Sequence, residues 1–456
     1  MVGRVPKGRI ARGSRMGRLA AGQAIRGVGT KLFMIGRPEQ AREMLAERST
    51  LQAAQQFVTV LGGMKGAAMK LGQMLSVLDV DLLPESHREM FRVKLAELRD
   101  RAPVVPFPDM RKVIEDDLGP LSRYFADFDE EAIAAASIGQ VYRATLHDGR
   151  TVAVKVKYPG VDRAVEADMR NLAMISRLWK SILPSAADDD VLEEIARNIE
   201  GELDYVAEAR NQHRVASRYR DHPYITVPDS IEELCGHHVL VTEYLDGIPF
   251  EEIRALPVED RDRIGELIYR FYITPMFTDY EFCGDPHPGN ILLAADGRLG
   301  FVDFGLYNTM DPAIVELERN AMRIACERRD RELYDKWVQR GIIDADAGVT
   351  PQECMEYVWA AAGWHLLDEE ITITPELATG AVVLAVDPRA AQFRGMRQQR
   401  LPAEHVFSRR VDLFTFAALG QLETTNNWHR LAREWLYHEP PVTEIGKETA
   451  RWRAGV

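Results

Sequence analysis

The chain has 456 residues, 46% of them hydrophobic and 28% charged, and its formal net charge of −13 has the wrong sign for a nucleic-acid binder. Its four cysteines, Cys235, Cys283, Cys326 and Cys354, lie far apart with no CxxC pair, which argues against a zinc module or disulfide framework and suits a reducing compartment. There is no secretory pattern and no apolar run approaching about 18 residues, so the sequence reads as cytoplasmic and not membrane-spanning.

Residues 1–48 form a basic segment. The first 38 positions hold no Asp or Glu and nine basic residues, among them Arg4, Lys7, Arg9, Arg12, Arg15, Arg18 and Arg26. Two readings stay open: a solvated tail, or peripheral contact with an anionic membrane, worth roughly 1 kcal/mol per basic residue near the surface. Residues 49–125 read as a helical extension. Leu51, Phe57, Val58, Leu61 and Met64 recur mostly at three- and four-residue steps before Pro84. A second helix is predicted over about Glu85 to Leu98, and a third over about Asp109 to Leu118, ahead of Gly119-Pro120.

The texture changes near Phe125. Over 126–246, Ala134–Leu146 and Thr151–Lys157 are predicted strands joined by the turn His147-Asp148-Gly149-Arg150. A helical block follows from about Gly160 to Tyr219, broken near Pro184, and strands return at Thr226–Ile231 and His238–Tyr244. Residues 247–330 are mostly helical, with short strands at Ile291–Ala294 and Leu299–Val302. Residues 331–456 are helical, and Trp359, Trp364, Trp428, Trp435 and Trp452 there read as core aromatics, with a lipid or partner groove as the alternative. A small sheet followed by a helical half is an α+β plan in two lobes.

Three features stand in an order that chance rarely produces. Ala134-Ala135-Ala136-Ser137-Ile138-Gly139-Gln140-Val141 overlays the protein-kinase loop G-x-G-x-x-G-x-V, with alanine at the first two glycine positions, Gly139 at the third and Val141 at the valine. Lys155, in Val152-Ala153-Val154-Lys155, lies 16 residues beyond Gly139; such a loop and lysine cover nucleotide phosphates with backbone amides and a point charge. Asp285-Pro286-His287-Pro288-Gly289-Asn290 places Asn five residues after Asp, the spacing of a kinase catalytic loop, with Asp285 beside the attacking group and Asn290 on a metal ion. Asp303-Phe304-Gly305 follows 13 residues beyond Asn290, and Asp303 is read as the ligand of Mg²⁺ bridging the phosphates. Val241–Leu245 fits a hinge whose backbone at Glu243 and Leu245 would bond adenine; a plain strand end fits as well.

Two further motifs sharpen the picture. Lys70-Leu71-Gly72-Gln73 has the form K-x-G-Q, and Glu202-Leu203-Asp204 has the form E-x-D, with Glu208 six residues after Glu202. With the alanine-rich loop, they make the chain resemble the UbiB-like (AarF/ADCK-type) atypical kinase family over roughly residues 50–310. The resemblance implies a two-lobed protein-kinase-like fold that binds ATP with Mg²⁺. It further implies that the K-x-G-Q extension packs over the place of a protein substrate. Lys70 would then approach Glu202 or Asp204, and Lys155 would pair with Glu208. The residues add one argument: on a helix, Asp204 and Glu208 at i and i+4 share a face.

There are departures. Cys283-Gly284-Asp285 stands where many bacterial relatives have His-Ala-Asp, so a bracing histidine is missing, and Cys283 reads as a buried packing residue. His287, between two prolines, reads as structural. Only Leu306–Pro312 separates the Asp-Phe-Gly triplet from a helix predicted over Val315–Arg329, with no A-P-E element to seat a peptide. Two function classes follow. One is an atypical kinase or ATPase acting on a small molecule or lipid, which the resemblance links to isoprenoid-quinone or other lipid metabolism. The other is a nucleotide-gated lipid-binding or chaperone-like pseudokinase. Asp285 favours the first, and the alanine-rich loop keeps the second open.

Overall fold

The computed structural model describes residues 105–169 without Ser137, 201–380 without Glu202 and Thr379, and 404–455. The basic segment, the helices expected before residue 99, the Lys70 motif, the break near Pro184, Ser137 and Glu202 lie outside the described residues.

The first lobe is an antiparallel sheet of β1 (Phe125–Phe128), β2 (Ala134–Ala135), β3 (Gly139–Leu146), β4 (Thr151–Lys157) and β6 (Val239–Glu243), in the order β1-β3-β4-β6 with β2 on β3. Val152, Val154 and Val156 are fully buried, and burial of each contributes about 2 kcal/mol. Helix α1 (Phe107–Leu118) covers the sheet with Met110 and Ile114, and its Asp117 accepts the His238 and Val239 amides at 2.8 and 3.1 Å. The strand expected over 134–146 is two strands, because Ala136–Gly139 turns back on itself. After α2 (Val161–Met169), helix α3 (Tyr205–Arg218) packs on β6. The strand expected over Thr226–Ile231 is only β5 (Ile225–Thr226) plus an isolated bridge from Ser230 to Thr242.

The second lobe is built around α5 (Val258–Tyr272), whose residues Ile264–Tyr272 are all buried. It follows β7 (Gly247–Pro249) and α4 (Phe250–Ile253), and leads through α6 (Thr274–Thr278) to β8 (Glu281–Cys283). The sheet β5-β10-β9-β7 includes the hairpin of β9 (Ile291–Ala294) and β10 (Leu299–Phe301), and β11 (Tyr307–Thr309) pairs with β8. The ring of Phe271 stacks on Phe301 with centroids 3.5 Å apart. Beyond lie α7 (Pro312–Cys326), α8 (Asp330–Gln339), α9 (Pro351–Leu366), α10 (Glu404–Leu422), α11 (Trp428–Leu436) and α12 (Glu444–Arg453), with the two-residue strands β12 (Ile371–Thr372) and β13 (Thr425–Asn426). Strands β7, β8, β11, β12 and β13 correct the mainly helical expectation; at two or three residues each, they are too short for an alternation to be read.

Trp364, Trp428 and Trp435 are buried in one core with Tyr269 and Phe301, so α9 and α11 pack into the second lobe. Trp452 lies across Tyr219 and His222, and Arg328 covers the ring of Trp359. Among the described residues, no helix is long and apolar enough to cross a membrane.

Candidate active site

Strand alternation sets the upper wall of the cleft. Val141 and Lys155 are direct partners across β3 and β4, so they share one face of the sheet. Gly139 opposes Lys157, where a Cβ would stand 2.1 Å from the Val156 carbonyl oxygen; only glycine lets the strands meet there. The Ala136 amide donates to the Gly139 carbonyl at 2.9 Å, and the Ile133 amide to that of Val141 at 2.8 Å. The expectation of a loop cradling phosphates with its amides is therefore corrected at Ala136, whose N–H is used inside the hairpin. Ala134 and Ala135 are exposed on β2, while the Ile138 side chain is buried in the lobe core and its carbonyl accepts the Tyr158 amide at 2.9 Å.

Lys155 Nζ donates to Glu208 Oε1 at 2.7 Å and to Asp303 Oδ2 at 3.3 Å. Glu208 is 2% exposed and sits in the first turn of α3. Burial disfavours the ammonium, but Asp303 and Glu208 outweigh it and hold Lys155 well above the ordinary lysine value. Asp204 stands differently from the expectation. It is the N-cap of α3, outside the helix, and its carboxylate accepts the Ala207 amide at 2.9 Å. The shared helical face with Glu208 is therefore absent, and the cap itself contributes about 1 kcal/mol.

The lower wall comes from a hairpin. A tight turn with Gly297 at φ +83° joins β9 to β10, and Phe301 pairs with Ile291. Asn290 and Asp303 thus flank the open end of one two-stranded ladder. The Asn290 side-chain amide donates to the Asp285 carbonyl at 3.2 Å, which turns its oxygen away from that bond. Asp303 Oδ1 accepts the Gly305 amide at 3.2 Å, and Phe304 is fully buried beneath. An amide oxygen and a carboxylate are the hard donors that suit Mg²⁺ shared with phosphates, so the donor set fits that ion. The Asp285 carbonyl also accepts the His287 amide at 2.7 Å, and His287 Nδ1 accepts the Gly289 amide at 3.0 Å, so His287 braces the loop. Cys283 is 5% exposed, and burial with Asp303 nearby pushes its thiol far up, which leaves it an inert packing group.

At the strand end, the Glu243 amide donates to the Asp229 carbonyl at 2.8 Å, and the Glu243 carbonyl accepts the Thr242 hydroxyl at 3.2 Å. The Leu245 side chain lies over Gly300, where a Cβ would be 2.1 Å from it.

The sequence reading missed four participants. Lys157 donates to Asp162 at 2.9 Å and to the Leu203 carbonyl, and the Tyr205 ring lies 5.2 Å from Lys155 Nζ and 5.1 Å from Lys157 Nζ. Asn211 reaches the Phe304 carbonyl at 3.5 Å. The alternation Val154-Lys155-Val156-Lys157 already puts both lysines on one face, which was the available signal for Lys157.

A family model described as the ABC1 atypical kinase-like domain matches residues 97–334. The chain is similar to Protein Activity of BC1 Complex Kinase 1, chloroplastic, of Arabidopsis thaliana, at 31% identity over 74% of this chain and 49% of the relative. It is also similar to Atypical kinase COQ8B, mitochondrial, of Rattus norvegicus, at 31% identity over 66% of this chain and 57% of the relative. The matches thus span about half the length of these curated relatives. A solved complex of Rv3197 with erythromycin from Mycobacterium tuberculosis superposes with a TM-score of 0.62 at 32% identity, covering 88% of this chain and 100% of that one.

Proposed function

This chain belongs to the ABC1 atypical kinase-like family, and on that premise we propose that it binds ATP with Mg²⁺ and transfers or hydrolyses the terminal phosphoryl group. The observation that carries the reading is Lys155, fixed between Glu208 and Asp303 at 2.7 and 3.3 Å. A lysine held charged in a shielded cleft suits a polyanion, and Asp303 is the group that would exchange this contact for a metal. Asn290 and Asp303 would hold Mg²⁺, which supplies neutralisation of phosphate charge when bound. Asp285 would orient the attacking hydroxyl or water from the braced loop. Glu243 and Leu245 would meet adenine, and Lys70 with Glu202 and Asp204 would cover the cleft. The six residues Leu306–Asp311 before α7 give little room to seat a peptide, which favours a small-molecule or lipid acceptor, isoprenoid quinones included, reached from the cytoplasm or by peripheral contact of residues 1–38 with a membrane.

One observation favours a second reading, a nucleotide-gated binding protein in which turnover is incidental: the Ala136 amide is already spent in its own hairpin. Phosphate release from Mg-ATP separates the two. Turnover that vanishes in Asp285→Ala, with nucleotide binding kept, supports the enzyme; equal, trace turnover in both chains supports the binder.

A further inference from the structure

One carboxylate, that of Glu281, joins three elements of the cleft. Glu281 begins β8, the strand that runs into Asp285. Its Oε2 accepts from Arg218 at 2.5 Å and from the Tyr307 hydroxyl at 2.8 Å, and its Oε1 lies 3.4 Å from Arg214. Arg214 and Arg218 form the C-terminal end of α3, the helix that carries Glu208 in its first turn. Tyr307 opens β11, two residues beyond Gly305, and pairs with Cys283 of β8.

The contact is favourable on balance. Burial would raise the Glu281 carboxyl, but the Tyr307 hydroxyl and Arg218 outweigh it and hold it below the usual range. Burial, with Glu281 adding to it, keeps the Tyr307 phenol protonated and hence a donor. Arg214 is 55% exposed and adds little, so Arg218 and Tyr307 carry the link.

In kinases controlled by phosphorylation, a phosphate added to the activation segment pairs with arginines and orders the segment, and the helix bearing the lysine's glutamate is set at the same time. Here the segment after Gly305 is a few residues long, and an acidic side chain already stands among arginines and a tyrosine from the corresponding three elements. We propose that Glu281 is a positioning residue that locks α3, and with it Glu208, against the catalytic-loop strand, so that the cleft is set without phosphorylation. The catalytic part of this inference rests on the phosphotransfer reading above; the structural part does not.

Two measurements on the full chain test it. In nucleotide-free protein, hydrogen exchange over residues 205–218 should quicken at least about tenfold in Glu281→Gln and by a smaller factor in Tyr307→Phe, which keeps the ring packing. Glu439→Gln, on the outlying Arg433–Glu439 pair, should leave it unchanged. Wild-type exchange over 205–218 in both Glu281→Gln and Tyr307→Phe overturns the lock. Where the chain turns over ATP, Glu281→Gln should lower kcat about tenfold yet add almost nothing in a Glu208→Gln background, because both act through Lys155. Fully additive losses overturn the positioning role. A wild type without turnover removes the phosphotransfer reading alone, and the exchange measurement still decides the lock.

Discussion

The Val302 amide donates to the Asn290 carbonyl at 3.2 Å, one rung beyond the β9–β10 ladder. That rung fixes how far apart Asn290 and Asp303 stand, so the spacing of the proposed metal ligands is set by a hairpin and not by a mobile loop.

Asp303→Asn should therefore abolish the thermal shift that Mg-ATP or Mg-ADP gives the wild type, since the phosphates lose their counter-charge in a shielded cleft. Asn290→Asp keeps an oxygen donor and should retain a reduced shift. Differential scanning fluorimetry with and without Mg²⁺ reads both. Equal shifts for wild type and Asp303→Asn would remove Asp303 from the metal.

Glu208→Gln leaves Lys155 buried beside a single carboxylate. Loss of one member of a buried pair typically costs about 3–5 kcal/mol, and the remaining Asp303 contact should hold the loss to roughly 2 kcal/mol. Lys155→Met alone should cost more, because it leaves Glu208, 2% exposed, without its counter-charge. Lys155→Met combined with Glu208→Gln should be more stable than Lys155→Met alone, since only the more exposed Asp303 then lacks its lysine. Urea unfolding of the three variants checks the order. A double variant no more stable than Lys155→Met would mean that the pair contributes little beyond packing.

Much of this cleft was legible before the structure. Lys155, Asp285, Asn290 and Asp303 lie in local motifs whose spacing is itself the signal, and the strand Ile291–Ala294 matched to the residue. Asp204 was misread because an acidic residue ahead of a helix is indistinguishable by periodicity from one inside it; capping depends on where the helix begins. The spent Ala136 amide depends on a four-residue turn that an alanine run does not announce. Glu281, Arg218 and Tyr307 are far apart in sequence, and Glu281 and Tyr307 belong to strands of three residues, so only the tertiary fold brings them to the end of α3.

The basic terminus can be tested without structural detail. If residues 1–38 hold the protein to a membrane, their deletion should release it from anionic vesicles, and about 0.5 M salt should do the same as the Debye length shrinks. Co-sedimentation with neutral and anionic vesicles alike would leave the solvated-tail reading.

The C-terminal helix should dock in a pH-dependent manner. His222 is 2% exposed, its Nδ1 accepts the Tyr224 and Ile225 amides at 3.1 and 3.0 Å, and its ring lies 4.5 Å from that of Trp452 on α12. Burial first, then Arg453, Arg270 and Arg298, lowers its pKa to about 4 from 6.5. The unfolded chain binds the proton more readily, so stability is full above about pH 6.5 and falls toward pH 4, by roughly 3 kcal/mol. His222→Asn should flatten this slope while lowering stability at pH 7. An unchanged slope between pH 4 and 6.5 in the variant would assign the acid sensitivity to other groups.

The hairpin over the cleft offers opposite substitutions with opposite results. Gly139→Ala would set a methyl group 2.1 Å from the Val156 carbonyl oxygen, and two paired backbones cannot part without breaking the rungs beside Lys155 and Lys157. A loss of about 2–3 kcal/mol is expected from such overpacking, together with weaker nucleotide binding. Ala134→Gly acts on an exposed residue of β2, so it should cost only about 0.5–1 kcal/mol through chain entropy. It also removes a Cβ that restricts the backbone next to the turn, letting β2 lift from β3 and free the Ala136 amide toward a phosphate. Basal ATP turnover or autophosphorylation should then rise several-fold in Ala134→Gly, or its preference between ATP and ADP should change. Phosphorylation of generic peptides should stay negligible. Parallel unfolding and phosphate-release assays on the two variants decide the matter. Turnover that falls in Ala134→Gly in proportion to its stability, with no change in nucleotide preference, would mean that the alanine-rich hairpin serves strand pairing alone.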